Sequence, residues 1–422
     1  MRPGAGGPHT FDTDDRAMTA TTTPSIRIAA AALLAALMLA LAGTAPASAA
    51  VLDADYVGGT KVIDAPALRS SAPDVYIPSG VLSTIDGREL WARDPDSQRA
   101  MASTTKIMTA VVVLERADLN AVVTVDKPAA KVGESTMGLI TGEKLTVGEL
   151  LKGVLVQSGN DAATLIAEFV GGTDRGFVAM MNAKAAQLDL INTAYLNPHG
   201  LDAKGHYTSA GDLTVLARYA MRNATFRELV GLQTLKVRSD RYTHVLKSHN
   251  TLLKSYKGAE GIKTGWTDDA GYCVVAAAKR GDIELVGTVM GAASEAGRAQ
   301  QAKVLLDWGF AHYKTTTVVE AGEVLGRVRV SDYLERTVGA EAEETTALPV
   351  FDLAGPVDRR VELMADVPAP VSKGDVVGTM TLYQGDDVLT QVSVVATSDV
   401  PEPTVWQRIV FFVVRLWRGV FG

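Results

Sequence analysis

A serine and a lysine three residues apart, Ser103-Thr104-Thr105-Lys106, open the most apolar helical stretch of the chain, Ile107 to Leu114. On a helix, positions i and i+3 share a face. The Ser103 hydroxyl and the Lys106 amine therefore meet at the helix start, where backbone N–H groups point outward. A serine hydroxyl is a poor nucleophile until a neighbour takes its proton. A lysine enclosed by Ile107, Met108 and the rest of an apolar helix has its pKa lowered by desolvation and is suited to that task. By itself the tetrapeptide reads better as a capping serine beside an exposed lysine, since an S-x-x-K match arises about once by chance in a chain of this size.

Two further triplets change that balance. Ser158-Gly159-Asn160 interrupts a helical pattern, so its hydroxyl and carboxamide can turn into a cleft, relay a proton towards Lys106 and orient a substrate amide. Lys263-Thr264-Gly265, followed by Trp266, lies on a strand pattern flanked by Gly261 and Gly271. A strand edge offers backbone groups to an extended peptide. There Lys263 supplies a positive charge for a carboxylate, and Gly265 permits close approach of a ligand to the backbone. Each triplet alone is a turn or a strand end. All three in this order, at a helix start, a helix break and a late strand, predict a protein that makes and breaks an acyl-serine.

The elements that must position these residues are legible from periodicity. Val81 to Ile85 and Glu89 to Ala92 flank Asp86-Gly87, a hairpin signal. Thr146-Val147-Gly148-Glu149 is a capping-box pattern before Leu150, Leu151, Val154 and Leu155. Helical periodicity continues from Asp161 to Val170 and over 174–191 and 209–223. Beyond Gly258 strands return, at Gly271 to Ala278 and Leu285 to Met290, before a helix from Gln300 to Phe310. Strands first and last with helices between predict an α+β fold, in which the terminal strands join one antiparallel sheet flanked by helices. Short alternating runs between 316 and 398 predict a separate all-β domain. In Thr404 to Gly422 a basic side (Arg408, Arg415, Arg418) opposes an apolar side with Trp406 and Trp417, while the longest apolar run, Ile409 to Val414, is too short for a bilayer. That pattern predicts a helix lying in the membrane interface, with docking on the protein's own surface as the alternative.

The chain has 422 residues, 47% apolar and 21% charged, with a formal net charge of −7. That suits two or three globular domains and leaves no basic footprint for nucleic acid. The single cysteine, Cys273, excludes an internal disulfide and sits in an apolar run, as a buried inert thiol does. Six histidines without HExxH or paired Cys/His spacing predict neither metal nor cofactor. Arg27, the apolar stretch Ile28 to Ala42 and the tripeptide Ala47-Ser48-Ala49 predict an export signal over residues 1–49, with Met18 a possible true start. The expected organisation is then an extended lead-in over 50–78, a catalytic domain over 79–313, the β-rich domain over 316–398 and the amphipathic helix over 403–422.

With its three motifs, and with Asn197-Pro198-His199-Gly200-Leu201, Ala270-Gly271-Tyr272-Cys273, and Leu305 to Phe310, the chain resembles the D-alanyl-D-alanine carboxypeptidases. These are low-molecular-mass penicillin-binding proteins of serine peptidase family S11. Val371 to Gly378 extends the resemblance into the family's β-rich C-terminal domain, and the terminal helix matches the anchor of many members. The resemblance implies a penicillin-binding/β-lactamase-like transpeptidase domain, an antiparallel sheet flanked by helices plus a helical subdomain. It implies Ser103 as acyl-ester nucleophile, Lys106 as its proton acceptor and Ser158 as relay. Asn160 would contact the substrate amide, Lys263 with Thr264 would hold the terminal carboxylate, and the N–H groups of Ser103 and Trp266 would form the oxyanion hole. The implied partners are peptidoglycan stem peptides ending in D-Ala-D-Ala and β-lactams as covalent inhibitors, at the outer face of the cytoplasmic membrane. A D,D-endopeptidase, a β-lactamase and a non-catalytic wall-binding protein are the rivals. No E-x-x-x-N stands between the second and third motifs to activate water as class A β-lactamases require.

Overall fold

The computed structural model describes residues 56–57, 60–61 and 72–421; the expected export signal and most of the lead-in lie outside the described residues. Two short strands, β1 (Tyr56–Val57) and β2 (Thr60–Lys61), pair with each other. The Asp86-Gly87 hairpin forms as expected, with β3 at Ser79–Thr84 and β4 at Glu89–Arg93. The helix anticipated from Ser103 opens instead with a 3-10 turn, Ala102–Thr105, and becomes α1 only at Lys106–Arg116. The turn is tight because the Thr104 and Thr105 hydroxyls donate to the Met101 and Ala102 carbonyls, 2.6 and 2.8 Å away.

A small ribbon of β5 (Val122–Thr124) and β6 (Lys144–Thr146) leads into α2 (Val147–Lys152), whose Thr146/Glu149 capping box is present as the sequence predicts. One π turn, Gly153–Gln157, then delivers Ser158 in a left-handed conformation, φ 63°, before α3 (Asn160–Gly171). Widened turns of this kind recur where a side chain must leave the helix line. Helices α4 (Asp174–Gln187), α5 (Ala210–Met221) and α6 (Ala224–Val230) complete the helical side. A hairpin that the sequence reading did not anticipate, β7 (Thr234–Arg238) with β8 (Thr243–Lys247), follows, then the single turn α7 (Leu252–Ser255).

Strands β9 (Ala259–Thr267), β10 (Gly271–Arg280) and β11 (Ile283–Ala292) close the sheet in the order β2-β1-β4-β3-β11-β10-β9, antiparallel throughout. The early hairpin meets the late strands at β3 and β11, where Leu82 opposes Gly287. Both faces of β10 are covered. Val275 and Ala277 enter the core shared with α1, α3 and α5, whereas Val274, Ala276 and Ala278 enter the core of the opposite face with Leu305 and Leu306. Covering on both sides explains why β10 reads as a continuous apolar run rather than an alternating one. The covering helix on the second face is α8, Glu295–His312, which starts earlier than the Gln300 expected from sequence.

The β-rich domain begins with β12 (Tyr313–Val319) and contains β13 (Val324–Val330), β14 (Thr337–Ala342), β15 (Thr346–Phe351), β16 (Val357–Leu363), β17 (Asp366–Val367), β18 (Val376–Gln384) and β19 (Asp387–Ala396). Six of them form one sheet, β16-β18-β19-β14-β13-β17, while β12 pairs with β15. Tyr313 and Phe351 bury themselves in the α8 core, with the Phe351 ring edge-on to Trp308 at 5.6 Å. The two domains therefore share side chains at the point where sequence texture alone suggests a clean change.

The terminal helix, α9 (Val405–Phe421), forms as predicted. Its basic side faces the protein: Arg415 donates to the carbonyls of Ser331 and Tyr333, Arg418 pairs with Glu335 at 3.2 Å, and Phe411 lies against Tyr333 at 5.7 Å. Trp406, Ile409, Phe412, Val413 and Leu416 stay exposed. Among the described residues no helix is long and apolar enough to cross a membrane.

Candidate active site

The three motifs converge on one cleft of about 460 Å³, lined by Ser103, Ser158, Asn160, Thr264, Gly265 and Trp266, with Lys106 and Lys263 buried beneath it. Ser103 projects from the 3-10 turn, which is entered through Ala102 at φ 48°, a left-handed conformation costly for a residue with a Cβ. Strand β9 crosses the turn so closely that a Cβ on Gly265 would lie 2.8 Å from the Ser103 nitrogen. Glycine is therefore required here first by the protein's own backbone. The 197–201 segment supports the turn from the other side, where a Cβ on Gly200 (φ +95°) would overlap the Ala102 carbonyl oxygen.

Lys106 has no exposed surface, and its Nζ lies 2.9 Å from Ser103 Oγ, 2.6 Å from Asn160 Oδ1 and 2.6 Å from the His199 carbonyl oxygen. Burial, and then the neighbouring Lys263 charge, hold its pKa well below the ordinary lysine value, against the opposing pull of Asp161 and Glu134. A neutral amine carries two hydrogens and one lone pair. The Asn160 oxygen is identified because its Nδ2 donates to the Gly133 carbonyl at 3.0 Å. Two acceptor-only oxygens thus take both hydrogens, and the lone pair faces the Ser103 hydroxyl. That is the arrangement of a base beside a nucleophile.

The second triplet is wired differently from expectation. Ser158 Oγ accepts from Lys263 Nζ at 2.9 Å, rather than meeting Lys106, and Lys263 also donates to the Thr264 carbonyl at 2.9 Å. The π turn and the left-handed Ser158 aim the hydroxyl at β9. Asn160, expected to face a substrate amide, uses its oxygen on Lys106 and its nitrogen on Gly133. Lys263 is itself buried, and burial followed by the Arg298 charge lowers its pKa to about 7. The more durable positive charge of the cleft belongs to Arg298, which donates to the Gly265 carbonyl at 3.1 Å, pairs with Glu295 at 3.1 Å and lies over Tyr272 at 5.6 Å.

Arg298, Glu134, Ser135 and His249 line the cleft without having been singled out in the sequence, as does Tyr272, which the sequence marks only as part of the family resemblance. Arg298 escaped because it sits in the first turn of α8 behind Gly297, where the helical period is weak. The usable signal was Ser294, an N-cap whose hydroxyl accepts from the Gly297 N–H at 3.0 Å.

A histidine missed in the same way braces the nucleophile turn. His206 Nδ1 accepts from the Leu196 N–H at 3.0 Å, so its proton sits on Nε2, which faces Thr105 Oγ1 at 2.9 Å. Burial lowers its pKa to about 4, against a weak opposing pull from Asp202. Between pH 4 and the unfolded value near 6.5 the unfolded chain binds more protons, so stability falls as pH falls through that window. Thermal unfolding should show a loss on the order of 3 kcal/mol from His206 between pH 7 and pH 4, and His206→Gln should make that limb shallower, leaving the part due to His199, whose pKa burial also lowers to about 4. An unchanged limb in the variant removes His206 as its source.

Comparison with known proteins identifies both domains. The family description D-alanyl-D-alanine carboxypeptidase (peptidase S11) matches residues 70–294, and that of the C-terminal domain of penicillin-binding protein 5 matches 313–402. The Bacillus subtilis D-alanyl-D-alanine carboxypeptidase DacF is 33% identical over 74% of this chain and 82% of its own length. The crystal structure of Haemophilus influenzae penicillin-binding protein 5 superposes with a TM-score of 0.59, at 29% identity, over 78% of this chain and 99% of that one. The Streptomyces K15 DD-transpeptidase superposes with a TM-score of 0.55, at 34% identity, over 57% of this chain and 98% of that one. The cleft, the fold around it and these likenesses together place the chain in the D-alanyl-D-alanine carboxypeptidase family, peptidase S11.

Proposed function

We propose that the protein removes the terminal D-alanine of peptidoglycan stem peptides through an acyl-serine at Ser103, and that penicillins acylate the same hydroxyl. The observation that carries this is the Lys106 amine, 2.9 Å from Ser103 Oγ with both hydrogens committed elsewhere. The peptide lies along β9 with its carboxylate towards Lys263, Thr264 and Arg298. Ser103 Oγ attacks the carbonyl carbon while Lys106 takes its proton. The oxyanion is met by the N–H groups of Ser103 and Trp266, and such donors contribute several kcal/mol. Collapse breaks the C–N bond as the leaving nitrogen takes a proton from Lys263 through Ser158; water then attacks the ester, its proton returning to Lys263 by the same route, and Ser103 recovers its proton from Lys106 as the ester C–O bond breaks. The purified protein, incubated with a pentapeptide ending in D-Ala-D-Ala, should yield tetrapeptide and free D-alanine by mass spectrometry. Intact pentapeptide, or cleavage only of cross-linked peptides, defeats this reading.

The terminal helix suits attachment to the outer face of the cytoplasmic membrane through its exposed apolar side. Because Arg415 and Arg418 are engaged by the β-rich domain, apolar burial rather than arginine–phosphate attraction should dominate. Deleting 403–422 should release the exported protein into the soluble fraction with its activity on a small peptide within about twofold, since the surface change lies far from the cleft. Sedimentation of the truncated protein with membranes would put the anchor elsewhere.

A further inference from the structure

Two side chains line the cleft without contacting a group used in the reaction above: Trp266, and Glu134, whose charge opposes the lowering of the Lys106 pKa. Glu134 lies on a loop that the protein holds firmly. Gly133 and Ser135 on either side accept from Asn160, through Nδ2 at 3.0 Å and the backbone N–H at 2.7 Å. The Asp161 carboxylate then takes the N–H groups of Met137, Gly138 and Leu139 at 2.8, 2.9 and 3.0 Å. Between these anchors Glu134 adopts φ 65°, a conformation that few side chains occupy. Its carboxylate is exposed and has no hydrogen bond or ion pair among the described residues. The cleft's other carboxylate, Glu295, is bound by Arg298.

Trp266 lies on the sheet side of the same cavity and is 50% exposed. Tyr272 backs its indole, with ring centroids 5.8 Å apart. An exposed, supported indole and an uncommitted carboxylate lining one cavity complement a cation on an apolar stem, since the ring attracts the charge and also covers the methylenes. The carboxylate end of a bound peptide is already assigned to Lys263 and Arg298, so a cation met by Glu134 belongs to the acyl side of the scissile bond.

We propose that Glu134 and Trp266 form a specificity subsite for a free side-chain ammonium on the residue that precedes the two D-alanines. This rests on the carboxypeptidase reading. Stem peptides carry a diamino acid whose amine is charged when free and becomes a neutral amide when acylated in a cross-link. The subsite therefore favours uncross-linked peptides.

The test uses the full mature chain and two peptides, Nα-acetyl-L-lysyl-D-alanyl-D-alanine and its Nα,Nε-diacetyl counterpart, with kcat/KM measured by D-alanine release. The unaltered protein should prefer the free amine about tenfold, as one partly exposed ion pair with a cation–π contact allows, and the preference should shrink with added salt. Glu134→Gln, which keeps shape and removes charge, should bring the ratio close to 1. Trp266→Leu should lower it about threefold by losing the cation–π component. A ratio near 1 in the unaltered protein overturns the proposal. So do equal losses on both peptides in Glu134→Gln with a displaced pH profile for penicillin acylation, which would assign Glu134 to Lys106 instead. Release of D-alanine from neither peptide overturns the carboxypeptidase reading, and the subsite with it.

Discussion

Ser103→Ala should lower D-alanine release by at least about 10⁴-fold, the scale on which a lost nucleophile is felt, and should abolish covalent penicillin labelling. The expectation is strong because no neighbouring hydroxyl can substitute. Ser103 is followed by two threonines, but both hydroxyls are turned inward, Thr104 onto the Met101 carbonyl and Thr105 onto that of Ala102. Ser158 is bound to Lys263 rather than to Lys106. Among the described residues, Ser103 is the hydroxyl that Lys106 meets, at the mouth of the cleft. The measurement is single-turnover acylation by a labelled penicillin, with D-alanine release followed in parallel. Retention of either activity would remove Ser103 from the mechanism.

The two lysines should separate under one and the same substitution. Lys106→Arg keeps the charge but cannot surrender it, because guanidinium stays protonated. It also forces a larger head into a site with no exposed surface and acceptors at 2.6 Å. Acylation should fall by about 10³-fold or more, the scale of lost general-base catalysis with misplacement added. Lys263→Arg retains a cation towards the substrate carboxylate and should lose only about 10- to 100-fold, through its crowded contacts with Ser158 and Thr264. The pH profile sharpens the distinction. With Lys106 intact, acylation rises with pH as its depressed pKa is passed and the neutral amine forms. It declines above about 7 as Lys263 loses its proton. Lys263→Arg should move that upper limb to higher pH, whereas Lys106→Arg should remove the lower one. Stopped-flow acylation across pH reads both, and losses in the reverse order would sink the division of labour.

What the sequence alone determined was local. The i, i+3 spacing put Ser103 beside Lys106, the Thr146/Glu149 box started α2, the Asp86-Gly87 turn joined β3 to β4, and alternation between 316 and 398 marked the β-rich domain. These signals are carried by neighbours in the chain, so a period or a cap suffices to read them. What only the tertiary structure decided were the partners. Ser158 meets Lys263, 105 residues away, because a π turn and a left-handed residue redirect it, and no hydrophobic period marks either. Asn160 holds Lys106 from 54 residues away. Arg298 reaches Gly265 from the first turn of a helix whose start the pattern hid, and His206 steadies Thr105 from 101 residues away. The arginines of α9 turn to the β-rich domain because Ser331, Tyr333 and Glu335 offer them acceptors there. Contacts of that range depend on how sheets and helices pack, and packing is a property of the whole chain rather than of any stretch of it.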